Sequence, residues 1–361
     1  MTIAISGTNG ITLDGQFNSA SSMGFKNRIL NGAMVIDQRN AGASVTPSAG
    51  TYTLDRYAFT VTAASKLTCQ QNAGSITPPV GFKNYLGITS SSAYSIGSGD
   101  LFQVYQAIEG LNIYDLAWGT ANATTVTLSF WVRSSLTGTF GGAIQNSAQN
   151  RSYPYSYTIL AANTWEQKSI TIVGDTTGTW LTTNGVGMYV GFGLGAGSTY
   201  SGTAGAWAGA NYNSATGATS VVGTNGATFY ITGVQLEKGS TATSFDYRPY
   251  GTELALCQRY FEKSYDLSAT PGTATTNGQS YWVAPASLGR LSISFQTKKR
   301  TVPTIILYSP GTGASGNVRD VTVGADVATS AGNTGEQATL SIYSSTASRE
   351  YSQHWTASAE L

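Results

Sequence analysis

Apolar and polar residues alternate over much of this chain, and the alternation has the period of strands. Val126, Leu128, Phe130 and Val132 interleave with Thr127, Ser129, Trp131 and Arg133, while Tyr57, Phe59 and Val61 repeat the pattern more briefly. Since successive strand residues face opposite ways, each run predicts one face turned to a core. Trp165 to Ile172, Tyr189 to Leu194 and Phe229 to Leu236 continue the series, with Gly, Asn and Ser clusters marking turns between them. About eight short strands without intervening helices predict two packed antiparallel sheets, a jelly-roll β-sandwich over residues 26–250, with a barrel as the alternative. The stretch 195–226, rich in Gly, Ala, Ser and Thr, is far longer than the usual connection of about four to six residues.

The pattern changes once. Thr252 to Lys263 reads as a helix capped by Thr252, with Leu254, Cys257 and Phe261 on one stripe. This connecting helix, residues 251–264, makes the surrounding stretch a hinge between two β-rich regions. So short a helix with so narrow a stripe needs a partner, because isolated helices under ~12–15 residues are marginal in water. Either the neighbouring domain or copies of the same helix in a homotrimer would supply it. Beyond it, Leu291, Ile293 and Phe295, then Thr304 to Tyr308, Val318 to Val323 and Thr339 to Tyr343, predict a smaller C-terminal β-sandwich over residues 265–361. At the other end, Ile3, Ile5, Ile11 and Leu13 alternate within residues 1–25 with no neighbouring strand run, as expected of an arm that orders on another protein.

Composition fits an all-β chain. The 361 residues include 43 Gly, only 10% are charged, and the net charge is +1. Such a balance offers no field for nucleic acid or an anionic membrane, and Lys298-Lys299-Arg300 is the only basic run. No apolar run reaches the ~18 residues of a membrane span, and the N-terminus lacks the pattern of a signal peptide. Cys69 and Cys257 lie far apart and are expected as buried thiols.

Chemistry is scarce. Nucleophilic catalysis needs an imidazole, and the single histidine, His354, lies beside Trp355 in a strand-like run. Two cysteines and one histidine cannot supply a zinc site, so no metal or other cofactor is expected, although calcium on loop carboxylates stays open. The run Gly191-Phe192-Gly193-Leu194-Gly195 lacks the following helix that a dinucleotide loop requires. A pair of carboxylates could still hydrolyse a glycan, but no repeat of ~20–30 residues marks a β-helical hydrolase. Loop aromatics are the better lead for glycan contact: Trp207 and Tyr212 in the long Gly-rich stretch, and Tyr281 and Trp282 beside the loop 270–279. Tyr153, Tyr155 and Tyr157 alternate and read as strand.

Several phrases carry a resemblance. Asn27-Arg28-Ile29-Leu30-Asn31-Gly32-Ala33-Met34, Ile36-Asp37-Gln38-Arg39-Asn40, Tyr52 to Tyr57 and Gly233 to Leu256 with Gln258-Arg259-Tyr260-Phe261-Glu262 together resemble tail-fibre or minor tail proteins of tailed bacteriophages and prophages. Residues 229–245 are also similar to the last strand of jelly-roll carbohydrate-binding modules, without any match to their sugar-contacting residues. The resemblance implies a virion structural protein, made in the host cytoplasm and attached to the tail or baseplate through residues 1–25. It would bind a host-surface polysaccharide and have no enzymatic role. Host recognition is expected in the C-terminal domain, at Tyr281 and Trp282. A capsid decoration protein and a glycan-degrading tailspike-like enzyme are the alternatives.

Overall fold

A computed structural model describes residues 3–6, 10–13, 25–285 and 287–361. At the N-terminus β1 (Ile3–Ser6) and β2 (Gly10–Leu13) pair with each other as an antiparallel hairpin. Their backbones therefore have a local partner, contrary to the expectation of strands left unpaired; the rest of the arm lies outside the described residues.

The first domain is built from β3 (Tyr52–Leu54), β4 (Tyr57–Val61), β5 (Leu67–Gln71), β6 (Leu86–Ser90), β7 (Leu101–Glu109), β8 (Val126–Ser134) and β9 (Gly138–Asn146). After these come β10 (Ser152–Ile159), β11 (Glu166–Ile172), β12 (Val186–Ala196), β13 (Ser201–Gly202), β14 (Ser214–Ala215) and β15 (Thr228–Lys238). One sheet has the order β10-β9-β12-β7-β4-β3, and a second, facing it, the order β11-β8-β15-β6-β5. Every apolar residue of the β8 alternation is fully buried between them, together with Met188, Val190, Phe192 and Leu194 of β12. Each such side chain contributes roughly 1.5–3 kcal/mol relative to exposure. This is the jelly-roll sandwich that the alternation predicts.

β15 keeps its core face by a bulge. Phe229 and Ile231 face inward, and so do Val234 and Leu236, which lie on the opposite parity. The register against β8 shifts between Thr232 and Gln235, and Gly233 takes φ +61°, a left-handed conformation that glycine adopts without cost. The Asn27 to Met34 phrase is no strand at all. It wraps the end of the sandwich as irregular backbone whose polar groups are satisfied by buried amides: the Ile29 N–H donates to Asn27 Oδ1 at 2.9 Å, the Leu30 N–H to Gln106 Oε1 at 2.8 Å, and Gln106 Nε2 to the Leu30 carbonyl at 2.8 Å; Asn31 Nδ2 in turn donates to the carbonyls of Ile36 (2.8 Å) and Asp55 (3.0 Å).

The helix is shorter than expected. α1 spans Tyr250–Gln258, starts after Pro249 with no side-chain cap, and gives way to β16 (Phe261–Lys263). Residues 261–263 pair with 356–358 at the far end of the chain, and that ladder overrides the local helical pattern. Cys257 and Phe261 are buried within this chain, and the buried Glu253 accepts hydrogen bonds from the Asn31 N–H and Arg248. With Cys257 and Phe261 buried and Leu254 half-buried, the three form no exposed seam, and the partner of Cys257 and Phe261 is their own protein.

The remaining strands are β17 (Ser280–Val283), β18 (Leu288–Ser294), β19 (Thr304–Tyr308), β20 (Asn317–Asp320), β21 (Ala325–Gly332), β22 (Ala338–Ser344) and β23 (Glu350–Ser358). With β16 they form an eight-stranded antiparallel sheet about β23, which pairs with β16 and β17 end to end on one edge and with β19 and β20 on the other. The sheet curls over itself. Tyr343 of β22 touches Tyr351 of β23, ring centroids 4.9 Å apart, although two strands separate them in the sheet order.

The joint between the two domains is no hinge. Arg259 forks onto Glu109 at 2.9 and 2.6 Å, the Tyr260 hydroxyl donates to the same carboxylate at 2.7 Å, and Gln38 Nε2 donates to the Phe261 carbonyl at 2.8 Å. Glu360 pairs with both Arg39 and Arg56, while Arg300 Nη1 donates to the Asn184 carbonyl at 2.7 Å. These polar contacts, most of them buried or half-buried, fix one domain on the other.

Candidate functional site

The outer face of the six-stranded sheet carries a pair of tyrosines on an unusually flat floor. In β7, Phe102, Val104 and Ile108 are buried in the core, so Gln103, Tyr105 and Ala107 point the other way. In β12 the same logic turns Tyr189, Gly191 and Gly193 outward. Register places Tyr105 between Ala58 and Gly191, and Tyr189 between Ala107 and Gln145. With alanine and glycine as cross-strand neighbours, the two tyrosines meet edge to face, ring centroids 5.7 Å apart and planes at 77°. Both are half-buried.

Amide groups line the same face. Gln145 Nε2 donates to Asn211 Oδ1 at 2.6 Å, and Asn213 Nδ2 donates to the same oxygen at 2.9 Å. The Gln103 side chain lies across Gly191: a Cβ there would sit 2.8 Å from its Oε1. The glycines that resemble a nucleotide loop thus belong to a strand, where they let neighbouring groups lie on the sheet. Ser214 of β14 comes down onto Gly141 and Gly193 in the same way, at 2.6 and 2.7 Å from an added Cβ. The stretch 195–226 is therefore folded against the sheet as one wall of a groove.

The chain's own end forms the other wall. The Tyr52 hydroxyl donates to the Leu361 carbonyl at 2.6 Å, and Arg56 Nη2 to the Ala107 carbonyl at 2.5 Å while its other terminal nitrogen pairs with Glu360. Burial, then the neighbouring Tyr189 and Glu360, push the Tyr105 hydroxyl above its ordinary pKa; burial does the same to Tyr189. Both phenols stay protonated at neutral pH, each a donor and an acceptor beside a flat apolar ring. Aromatic faces with a few fixed amides and hydroxyls suit a ligand that is apolar on its ring faces and hydroxylated at its edges.

The aromatics named from sequence fall elsewhere. Trp207 is half-buried in a cluster with Trp118, Trp180 and Tyr153, at centroid distances of 5.4, 5.5 and 5.2 Å, and its Nε1 donates to the Val173 carbonyl at 2.9 Å. Tyr212 packs its ring on Gly202. The Trp282 ring joins the small core of Tyr343 and Tyr351, with Nε1 donating to the Tyr343 hydroxyl, so of the two candidates there Tyr281, 50% exposed, is the one that offers a free face. Tyr153, Tyr155 and Tyr157 are buried on β10. His354 is buried too: Nε2 donates to the Thr275 carbonyl at 3.0 Å, Nδ1 accepts from the Ser264 hydroxyl at 2.9 Å, and burial pulls its pKa down, keeping it neutral. Sequence reasoning missed Tyr105 and Tyr189. The signal was there in Leu101 to Glu109, where a tyrosine stands at the polar parity of an alternating run.

No family model and no curated protein matches the sequence. Solved structures that are similar include the enzymatically active domain of bacteriophage CBA120 tailspike protein 4, at 12% identity over 59% of this chain and 21% of that one, with a TM-score of 0.33. A putative sugar binding protein from Bacteroides thetaiotaomicron is similar at 12% identity over 59% of this chain and 100% of its own, TM-score 0.31. A family 11 carbohydrate-binding module from Clostridium thermocellum, in complex with a β-1,3-1,4-mixed-linked tetrasaccharide, is similar at 9% identity over 55% and 97%, TM-score 0.28. At these values the likenesses carry no argument about this chain.

Proposed function

We propose that this protein is a structural component of a phage virion that binds a host-surface glycan in the groove on the outer face of its sandwich domain, without cleaving it. The observation that carries the glycan reading is the Tyr105–Tyr189 pair on its alanine and glycine floor, bordered by Gln145 and Asn211. The virion part is supported by the phrases at Asn27 to Met34 and Gly233 to Glu262 and their likeness to phage tail proteins. A binding role without catalysis is supported by the engagement of Glu109, Glu253, Glu262 and Glu360 in ion pairs, which leaves them holding the structure. On a glycan array, Tyr105→Ala and Tyr189→Ala are each expected to weaken binding about tenfold, or ~1.4 kcal/mol. Full binding by both variants, with loss on Tyr281→Ala, would move recognition to the C-terminal domain.

Attachment to the tail or baseplate through residues 1–25 and assembly as a homotrimer complete this reading. The trimer is supported by apolar side chains that the small C-terminal domain leaves exposed, among them Val283, Leu288, Val302 and Val323. Light scattering of the purified chain checks it: a monomer at micromolar concentration overturns the trimer.

A further inference from the structure

A second cavity lies where residues 25–30, the loop after β7 and α1 meet, and it shares no residue with the groove. About 320 Å³ in volume, it is lined by three arginines, Arg28, Arg248 and Arg259. Its size is at the low end of the ~300–1,000 Å³ usual for small-molecule sites. Each guanidinium is held by a carboxylate: Arg28 by Asp115 at 2.7 Å, Arg248 by Glu253 at 3.2 Å and Arg259 by Glu109 at 2.6 Å. Each of the three charges thus has a carboxylate partner, Asp115 facing the exposed Lys238 as well at 3.9 Å, and the wall is rigid without presenting an unpaired guanidinium to an anion. Phe25 and Tyr114 stand at the lining with their rings 63% and 67% exposed, and the Arg248 guanidinium lies 5.4 Å from the Phe25 ring centroid.

Donor capacity is left over in this wall. The Arg28 and Arg259 side chains are 16% and 29% exposed, and each guanidinium carries five N–H donors of which two are used within the protein, while Arg248, 2% exposed, is held inside. Asp115, 39% exposed, offers acceptor lone pairs beside Arg28. Paired guanidinium and carboxylate groups next to free aromatic faces present donors and acceptors side by side, which a hydroxyl group answers at a single atom because it donates and accepts. An anion would find the charges already neutralised, and an apolar ligand would strand the polar wall. We infer that this cleft binds one neutral pyranose residue or a disaccharide, with Tyr114 and Phe25 against its ring faces and the arginine–carboxylate pairs on its hydroxyls.

Saturation-transfer NMR of the full chain with glucose, galactose, mannose, N-acetylglucosamine, maltose and cellobiose tests the inference. At least one sugar is expected to bind saturably, to keep its affinity in the Tyr105→Ala/Tyr189→Ala protein, and to lose about tenfold in Tyr114→Ala or Phe25→Ala. The exposure of Tyr114 and Phe25 makes both replacements harmless to folding, which circular dichroism verifies. Binding that disappears with Tyr105 and Tyr189 instead assigns the sugar to the groove alone and overturns the cleft. The cleft is overturned equally if none of the six sugars binds, or if Tyr114→Ala and Phe25→Ala both bind as the parent does, whatever the groove variants do.

Discussion

Replacing Glu360 with glutamine is expected to destabilise the protein by about 3–5 kcal/mol, the usual cost of leaving a buried charge without its partner. The Arg56 side chain is 1% exposed, and its guanidinium is held by the Glu360 carboxylate and stacked on the Tyr260 ring at 3.6 Å. Glu360 also takes Arg39 at 2.7 Å. Glutamine keeps the shape and one acceptor oxygen but removes the negative charge, so two guanidinium groups would face each other across a neutral amide. Water cannot relieve them without opening the contact between the domains. Urea unfolding at constant m-value measures the loss. A fair control is Lys298→Ala: its pair with Glu336 is on the surface, with side chains 59% and 37% exposed, and its removal should be close to neutral. Equal behaviour of the two variants would sink the claim that the C-terminal residues lock the domains.

That lock explains much of what sequence could and could not say. Strands such as Val126 to Arg133 were legible because burial on one face writes a period of two into a single stretch of chain. The end of the helix was not, because Phe261 and Lys263 are drawn into a ladder with Ser358 and Thr356, and no local pattern announces a partner so distant in sequence. The same distance hid the groove. Tyr105 and Tyr189 belong to strands adjacent in the sheet but separated by four others along the chain, and each has an unremarkable polar-side position until the register sets them together. Trp207 and Trp282 misled in the opposite direction. Loop position and an aromatic ring suggested a binding surface, whereas the indole N–H of each is used inside the protein and the rings fill small clusters. The polar phrases at Asn27 to Asn40 carry a likeness in sequence, but their physical role is to satisfy buried backbone, that of Ile29 and Ile36 where no strand passes and that of Val234 at the bulge of β15.

The second large effect concerns Lys299 and Glu262, a pair with side chains 0% and 1% exposed. Lys299→Met is expected to cost a similar ~3–5 kcal/mol, since the Glu262 carboxylate would stay buried with only the Gln296 N–H, at 2.8 Å, and the more distant Thr297 N–H to hold its charge. Lys299 also donates to the Gln258 carbonyl at 2.6 Å and the Thr297 carbonyl at 3.0 Å, so the cut leaves those acceptors unmet as well. Adding Glu262→Gln removes the stranded charge while keeping an acceptor for the Gln296 N–H. Burial itself works against Lys299, pulling its pKa down, and the same burial penalises the lone carboxylate. Charge, not shape, is then the main loss, and the double variant should regain at least half of it. A double-mutant cycle from urea unfolding reads this directly as a coupling energy of at least about 1.5 kcal/mol, half of the smaller single loss, and more by whatever Glu262→Gln costs alone. Additive losses in the cycle would mean that the two side chains act as independent fillers, and that the contact between strand 261–263 and the turn at 296–300 is held by packing alone.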